Sequence, residues 1–255
     1  MKVGFAGAGN MAAAMARGWA AGDGGPEAML FSDIDTERAQ ALAGDVGGDT
    51  RDGLEALAAD SDVVLLAVKP PVLDEVAGEL GDAPQALLSV MAATSTERLG
   101  EAFPGMPRLR VMPNQPVEVR RGVICHPPPV DMPDDLAGEL LAMLGLLGTL
   151  IEVEEEKIDT AMAVMSCTPA YVALFAEALA AAGAAEGLDP SQSLEMVAAT
   201  LAGTAELMGK RDPRAIRAAV TSPGGTTEAG LNALGEHGFT EALEAAVKAS
   251  LERFR

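Results

Sequence analysis

Apolar residues fall into two patterns along the chain. Short blocks rich in β-branched and aliphatic residues, at 2–6, 28–33, 63–68, 86–92, 108–112, 122–126 and 148–153, read as strands. Several are apolar throughout instead of alternating, which fits strands covered on both faces. Between them the Ala-rich stretches 10–22 and 35–44 read as helices. This βαβα order predicts a doubly wound parallel sheet. After about residue 153 the strand pattern stops. A long Ala/Leu-rich helical run covers 158–186 and is interrupted at Pro169. Asp189-Pro190 then supplies an N-cap and a first-turn proline for a helix to about Met208, Asp212-Pro213 starts a short one, and two more helical stretches reach the end. The expected organisation is α/β: a doubly wound domain over 1–153, then an all-helical domain over 154–255.

Composition narrows this. Apolar residues make up 49% of the 255, but aromatic ones only 3%, so the core is built on Ala, Val, Leu and Met. No apolar run is expected to reach the roughly 18 residues of a membrane span, and the chain opens on a strand with no leader-like segment before it. The net charge of −20 argues against nucleic acid and anionic membranes as partners. It fits either GC-rich coding or adaptation to high salt. The two cysteines, Cys125 and Cys167, form no CxxC, so neither metal site nor disulfide framework is indicated and a cytoplasmic location is expected.

The chemistry concentrates at three places. Gly7-Ala8-Gly9-Asn10-Met11-Ala12 follows the first strand directly and opens the first helix. Gly7 permits the tight turn, Gly9 lets a pyrophosphate approach the helix N-terminus, and Ala12 takes the packing position of a dinucleotide-binding turn. Asp33 and Asp35, after Ser32, stand where a ribose hydroxyl is read; their charge favours NAD, whereas Arg38 or Arg51 offers a counter-charge for NADP. Lys69 and Asn114 end later strands, at "AVKPP" and "VMPNQP", on the edge where ligands bind. With Ala67, Val68, Pro70 and Ala92 they complete the expected cofactor-binding set. His126 and His237 read as surface or capping residues.

These motifs, with "PAYVALFAEALAAAGAAEGL" and the loop "VTSPGGTTEAGLNAL", resemble those of the pyrroline-5-carboxylate reductase family, in order and nearly end to end. The resemblance implies a Rossmann domain, a helical dimerisation domain, and reduction of a cyclic imine with NADP(H) or NAD(H), cofactor preference open. It implies homodimers or rings of dimers, and a carboxylate-bearing imine as substrate. Ser222, Gly224, Gly225 and Thr226 are expected to cradle the carboxylate, and Thr227 aligns with the threonine that meets the ring nitrogen. Cys167 and Thr168 join the substrate-binding set, but the family's "SGSGPAY" reads "MSCTPAY" here, from Met165 to Tyr171. That departure leaves two alternatives beside proline formation: a reductase of another small cyclic imine, or a silent dinucleotide-binding paralogue.

Overall fold

The computed structural model describes residues 1–253. Two compact units emerge, Met1–Cys167 and Thr168–Arg253.

In the first unit, β1 (Lys2–Ala6), β2 (Ala28–Ser32), β3 (Asp49–Thr50), β4 (Val63–Leu66), β5 (Ala86–Ser89) and β6 (Arg108–Arg110) form a sheet in the order β3-β2-β1-β4-β5-β6. Every pairing is parallel. That is the doubly wound order, whose direction reverses between β1 and β4. The strand sequences explain the layers. Val3, Phe5, Phe31, Val63, Leu65 and Leu88 point to one face, where they meet α1 (Asn10–Ala20) and α2 (Thr36–Val46). Their neighbours Ala6, Leu30, Val64, Leu66 and Leu87 point to the other, against α3 (Leu54–Asp60), α4 (Leu73–Leu80) and α5 (Thr96–Ala102). A strand that buries both faces has no polar side to alternate, hence the unbroken apolar runs.

The run 108–112 does not stay one strand. β6 ends at Arg110, and β7 (Met112–Pro113) joins β8 (Gly122–His126) and β9 (Gly148–Glu152) in a second sheet, β7-β8-β9. Two helices complete this unit, α6 (Asp134–Gly145) and α7 (Ile158–Met165). The first unit runs on to Cys167 because Ile158 and Met162 of α7 are buried against Met112 and Cys125.

The second unit holds α8 (Thr168–Ala185), α9 (Pro190–Met208), α10 (Pro213–Ala219), α11 (Thr226–Glu236) and α12 (Phe239–Glu252). The Asp-Pro signals act as read: Asp189 accepts from the amides of Ser191 and Gln192, and Asp212 from that of Arg214. Very little here is buried. Among its described residues only Ala180 and Ser193 are, whereas Leu174, Leu179, Leu194, Met196 and Met208 are exposed. By length and composition alone, the helical stretch Glu155–Ala185, which holds an 18-residue window of mean hydropathy 1.5, is long and apolar enough to cross a membrane, against the expectation that no segment would be. The helix does break before Pro169, α7 ending at Met165 and α8 starting at Thr168, but the proline sits in the first turn of α8, where it is compatible with helix, and the apolar pattern runs on across the break.

Candidate active site

The strand ends line up. Ser32, Ala6, Leu66, Ser89 and Arg110 form one row across the C-terminal edge of the parallel sheet. The expected cofactor residues follow that row. Gly7 turns the chain with φ +99, a conformation that favours glycine, and its N–H donates to Ser32 O at 2.8 Å. A Cβ on Gly7 would stand 2.8 Å from Ala67 O, so the turn is packed tight. Gly9 differs: a Cβ there would meet nothing within 4 Å. It is the N-cap of α1 and makes no side-chain cap bond, so the first amides of that helix face an open space. The space is a cleft of about 700 Å³ lined by Ala8, Gly9, Asn10, Ala13, Arg17, Arg38, Leu42 and Gln115, among others. Unobstructed amides at a helix N-terminus with a cleft in front fit a pyrophosphate.

The adenosine end differs from expectation. Asp33 is turned inward, its carboxylate accepting the amides of Ala8 at 2.7 Å and Asp35 at 2.8 Å. It braces the glycine turn instead of facing a ribose. Asp35 caps α2, accepting from the Arg38 amide at 3.1 Å and the Arg38 guanidinium at 3.0 Å. Arg51 is held by Asp60 at 2.5 Å and by the carbonyl of Thr50. Arg38 is thus the candidate cation that lines the cleft. Arg17 and Gln115 also line it and were missed; Asn10, Ala13 and Arg17 recur at helical spacing on one face of α1, a pattern that could have marked Arg17.

Lys69 is exposed beyond β4, just before the Pro70–Val72 turn. Ala92 follows β5 and is exposed, and Ala93 beside it holds a left-handed φ of +54, strained for a residue with a Cβ. Asn114 is buried and bonded to the protein at both side-chain polar atoms: Nδ2 donates to Met165 O at 3.1 Å, and Oδ1 accepts from the Val123 amide at 2.8 Å. Asn114 is thus a structural attachment, and a part in cofactor binding would fall to the second N–H of Nδ2. Of the hydroxyls new to the 165–168 turn, that of Ser166 donates to Pro113 O at 3.3 Å. His126 is buried, not on the surface, with Nδ1 3.0 Å from Pro127 O; His237 is the C-cap of α11. Burial pushes the Cys125 thiol up, away from reactivity.

In the second unit the Ser222–Thr227 loop leads into α11. Gly224 has φ +72. Its amide, expected to meet a substrate carboxylate, donates instead to Glu228 Oε2 at 2.7 Å, and that of Gly225 to Ser222 O at 2.9 Å. An acid in the first turn that reaches back to the entry amides is a capping arrangement. The amides of Thr226 and Thr227, in the first turn, have no helical carbonyl to reach. Thr227 itself is half-buried.

A parallel sheet of this order, with a glycine turn opening onto a helix N-terminus, defines a dinucleotide-binding protein of the Rossmann class. Comparison with known proteins narrows it. Residues 155–255 match the family model described as pyrroline-5-carboxylate reductase dimerisation, and residues 2–93 one described as NADP oxidoreductase, coenzyme F420-dependent. The pyrroline-5-carboxylate reductase of Aquifex aeolicus is 36% identical, over 94% of this chain and 91% of its own; that of Synechocystis is 39% identical over 76% and 74%. The solved 1-pyrroline-5-carboxylate reductase of Streptococcus pyogenes superposes with a TM-score of 0.90 at 28% identity, covering 100% of this chain and 98% of its own. The Plasmodium falciparum pyrroline carboxylate reductase, solved with NADP bound, gives 0.87 at 27%, covering 100% and 97%. The chain belongs to the pyrroline-5-carboxylate reductase family.

Proposed function

We propose that this protein reduces 1-pyrroline-5-carboxylate to L-proline, using NADPH or NADH, as a cytoplasmic homodimer or ring of dimers. The observation that carries the reading is the open space above Gly9, at the head of α1, in a chain that matches pyrroline-5-carboxylate reductases along its whole length. Gly7, Ala8, Gly9, Asn10, Met11 and Ala12 form the turn that holds the pyrophosphate, with Arg38 beside the adenosine ribose. Ser32, Asp33, Ala67, Val68, Lys69, Pro70 and Ala92 border the strand ends along which the cofactor lies. Bound NAD(P)H supplies the hydride that adds to the imine carbon.

The chain's own part is placement and charge. The helix dipole and free amides at the start of α1 attract the anionic cofactor. The first-turn amides of Thr226 and Thr227, with the hydroxyls of Ser222 and Thr226, receive the substrate carboxylate at the start of α11 in the same way. The Thr227 hydroxyl meets the ring nitrogen, which is positive in the protonated imine and a neutral amine after hydride addition. A hydroxyl serves both states because it accepts or donates without holding a charge of its own. No strong acid is required when the imine arrives protonated, and catalysis is then largely orientation in a dry cleft. The Ser166 hydroxyl is taken up by Pro113 O, so the first of the two glycine replacements is absorbed by the protein. This favours the family substrate.

The test is NADH and NADPH oxidation with a panel of cyclic imines, with and without a carboxylate beside the C=N bond. The reading expects turnover of 1-pyrroline-5-carboxylate to exceed that of the carboxylate-free ring. Equal turnover of both would overturn the carboxylate assignment, and no oxidation with any imine would support a silent dinucleotide-binding paralogue.

A further inference from the structure

The last turn of α7 has a covalent defect. The carbonyl of Met165 would normally accept from the amide four residues on, but residue 169 is proline and has no N–H. A carbonyl left without a donor in a packed setting costs stability. The missing donor comes from another element: Asn114 Nδ2 lies 3.1 Å from Met165 O. Asn114 is itself clamped, Oδ1 and backbone N–H both bonding Val123 on β8. One residue away, the Ser166 hydroxyl donates to Pro113 O.

The other end of the same helix is fastened to the same strand segment. Arg110, only 4% exposed, reaches Glu155 at 2.6 Å and Asp159 at 3.5 Å. Glu155 also accepts both the amide and the hydroxyl of Thr96. The helix is thus attached near both of its ends, at Asp159 and at Met165, to residues four apart in the 110–114 segment.

We propose that Asn114 is a positioning residue: by replacing the hydrogen bond that Pro169 removes, it fixes the Met165–Cys167 turn against the strand end where the nicotinamide lies. The last clause rests on the functional reading above; the attachment itself does not. Asn114 touches neither cofactor nor substrate in this assignment and acts through the turn.

Asn114→Asp is the discriminating variant: it keeps the acceptor for the Val123 amide and sets a carboxylate oxygen, in place of the donor, against Met165 O. Hydrogen exchange at the amides of Ser166 and Cys167 should speed up about tenfold or more, as expected for a lost hydrogen bond, with β1 and β4 unchanged. NADP⁺ affinity, measured by titration calorimetry, should stay within about twofold. With 1-pyrroline-5-carboxylate, kcat should fall while KM for NADPH holds, and the isotope effect with 4-deuterated NADPH should rise as hydride transfer becomes limiting. Ser166→Ala, which loses the parallel bond, should show the same pattern more weakly. Unchanged exchange at 166–167, or NADP⁺ affinity falling in step with kcat, would overturn the proposal; the second result would make Asn114 a cofactor ligand. Should the parent protein reduce no imine, the exchange and affinity results still decide the attachment, and the functional reading alone fails.

Discussion

At the scale of single residues, the two glycines of the dinucleotide turn have opposite jobs. Gly7 is held at φ +99 with Ala67 O where its Cβ would go; Gly9 faces open space. Gly7→Ala should cost about 1–3 kcal/mol through strain alone, seen as a lower Tm without any cofactor present. Gly9→Ala should leave the Tm of the apoprotein unchanged. Its methyl enters the space a pyrophosphate needs, and loss of one or two charge-assisted bonds should weaken NADP⁺ binding by about 10- to 100-fold in calorimetry. A matched loss of Tm in both variants would show that the space at Gly9 has no ligand role. Thr227→Val keeps size and β-branching, so cofactor affinity should hold. One hydrogen bond to a group whose charge changes is worth about 1.5–3 kcal/mol, so kcat/KM in steady-state assays should fall about 10- to 200-fold. Full activity in Thr227→Val would place the nitrogen elsewhere.

At the scale of elements, the attachment of α7 carries a pH signature. Burial alone pushes the Glu155 carboxyl up, but the bonds from Thr96 and Arg110 outweigh it and hold the group below the usual carboxylate range. A folded pKa below the unfolded one means that the native state binds fewer protons in the acid range, so stability there rises with pH. The contribution is complete above the unfolded value of about 4.3 and is lost as pH falls through the folded one. Glu155→Gln should therefore lower Tm at neutral pH, and its gap to the parent should narrow below about pH 4. A gap that stays constant from neutral to acid pH would remove charge from the account. Much of this element level was legible beforehand. Among the described residues the apolar runs marked six strands one for one and covered β6 and the start of β7 as a single run, and the Asp-Pro pairs marked α9 and α10. What escaped has physical reasons. β3 is two exposed residues, Asp49 and Thr50, with no apolar signal at all. The break between β6 and β7 is a change of sheet partner, which local pattern does not encode. Asp33, Asp35 and Asn114 follow strand ends as read, yet their side chains bond protein amides or carbonyls. Whether a polar group faces ligand or backbone depends on contacts that sequence spacing does not contain.

At the scale of the whole molecule, the exposed apolar residues of α8 and α9 and the family's dimerisation region coincide. A helix apolar on most sides needs cover on most sides. A second copy of this chain supplies it in the proposed assembly, so Leu174→Asp, which puts a charge at a residue now 64% exposed, should shift sedimentation from dimer or larger toward monomer. A parent protein that sediments as a stable monomer at micromolar concentration would contradict that assembly. The central claim, however, is chemical. The measurement that tests it most directly is chiral chromatography of the product formed when the purified protein is incubated with 1-pyrroline-5-carboxylate and NADPH or NADH. The account predicts L-proline, one molecule for each dinucleotide oxidised and none without the protein. Dinucleotide left unoxidised, or oxidised with no L-proline formed, would contradict it.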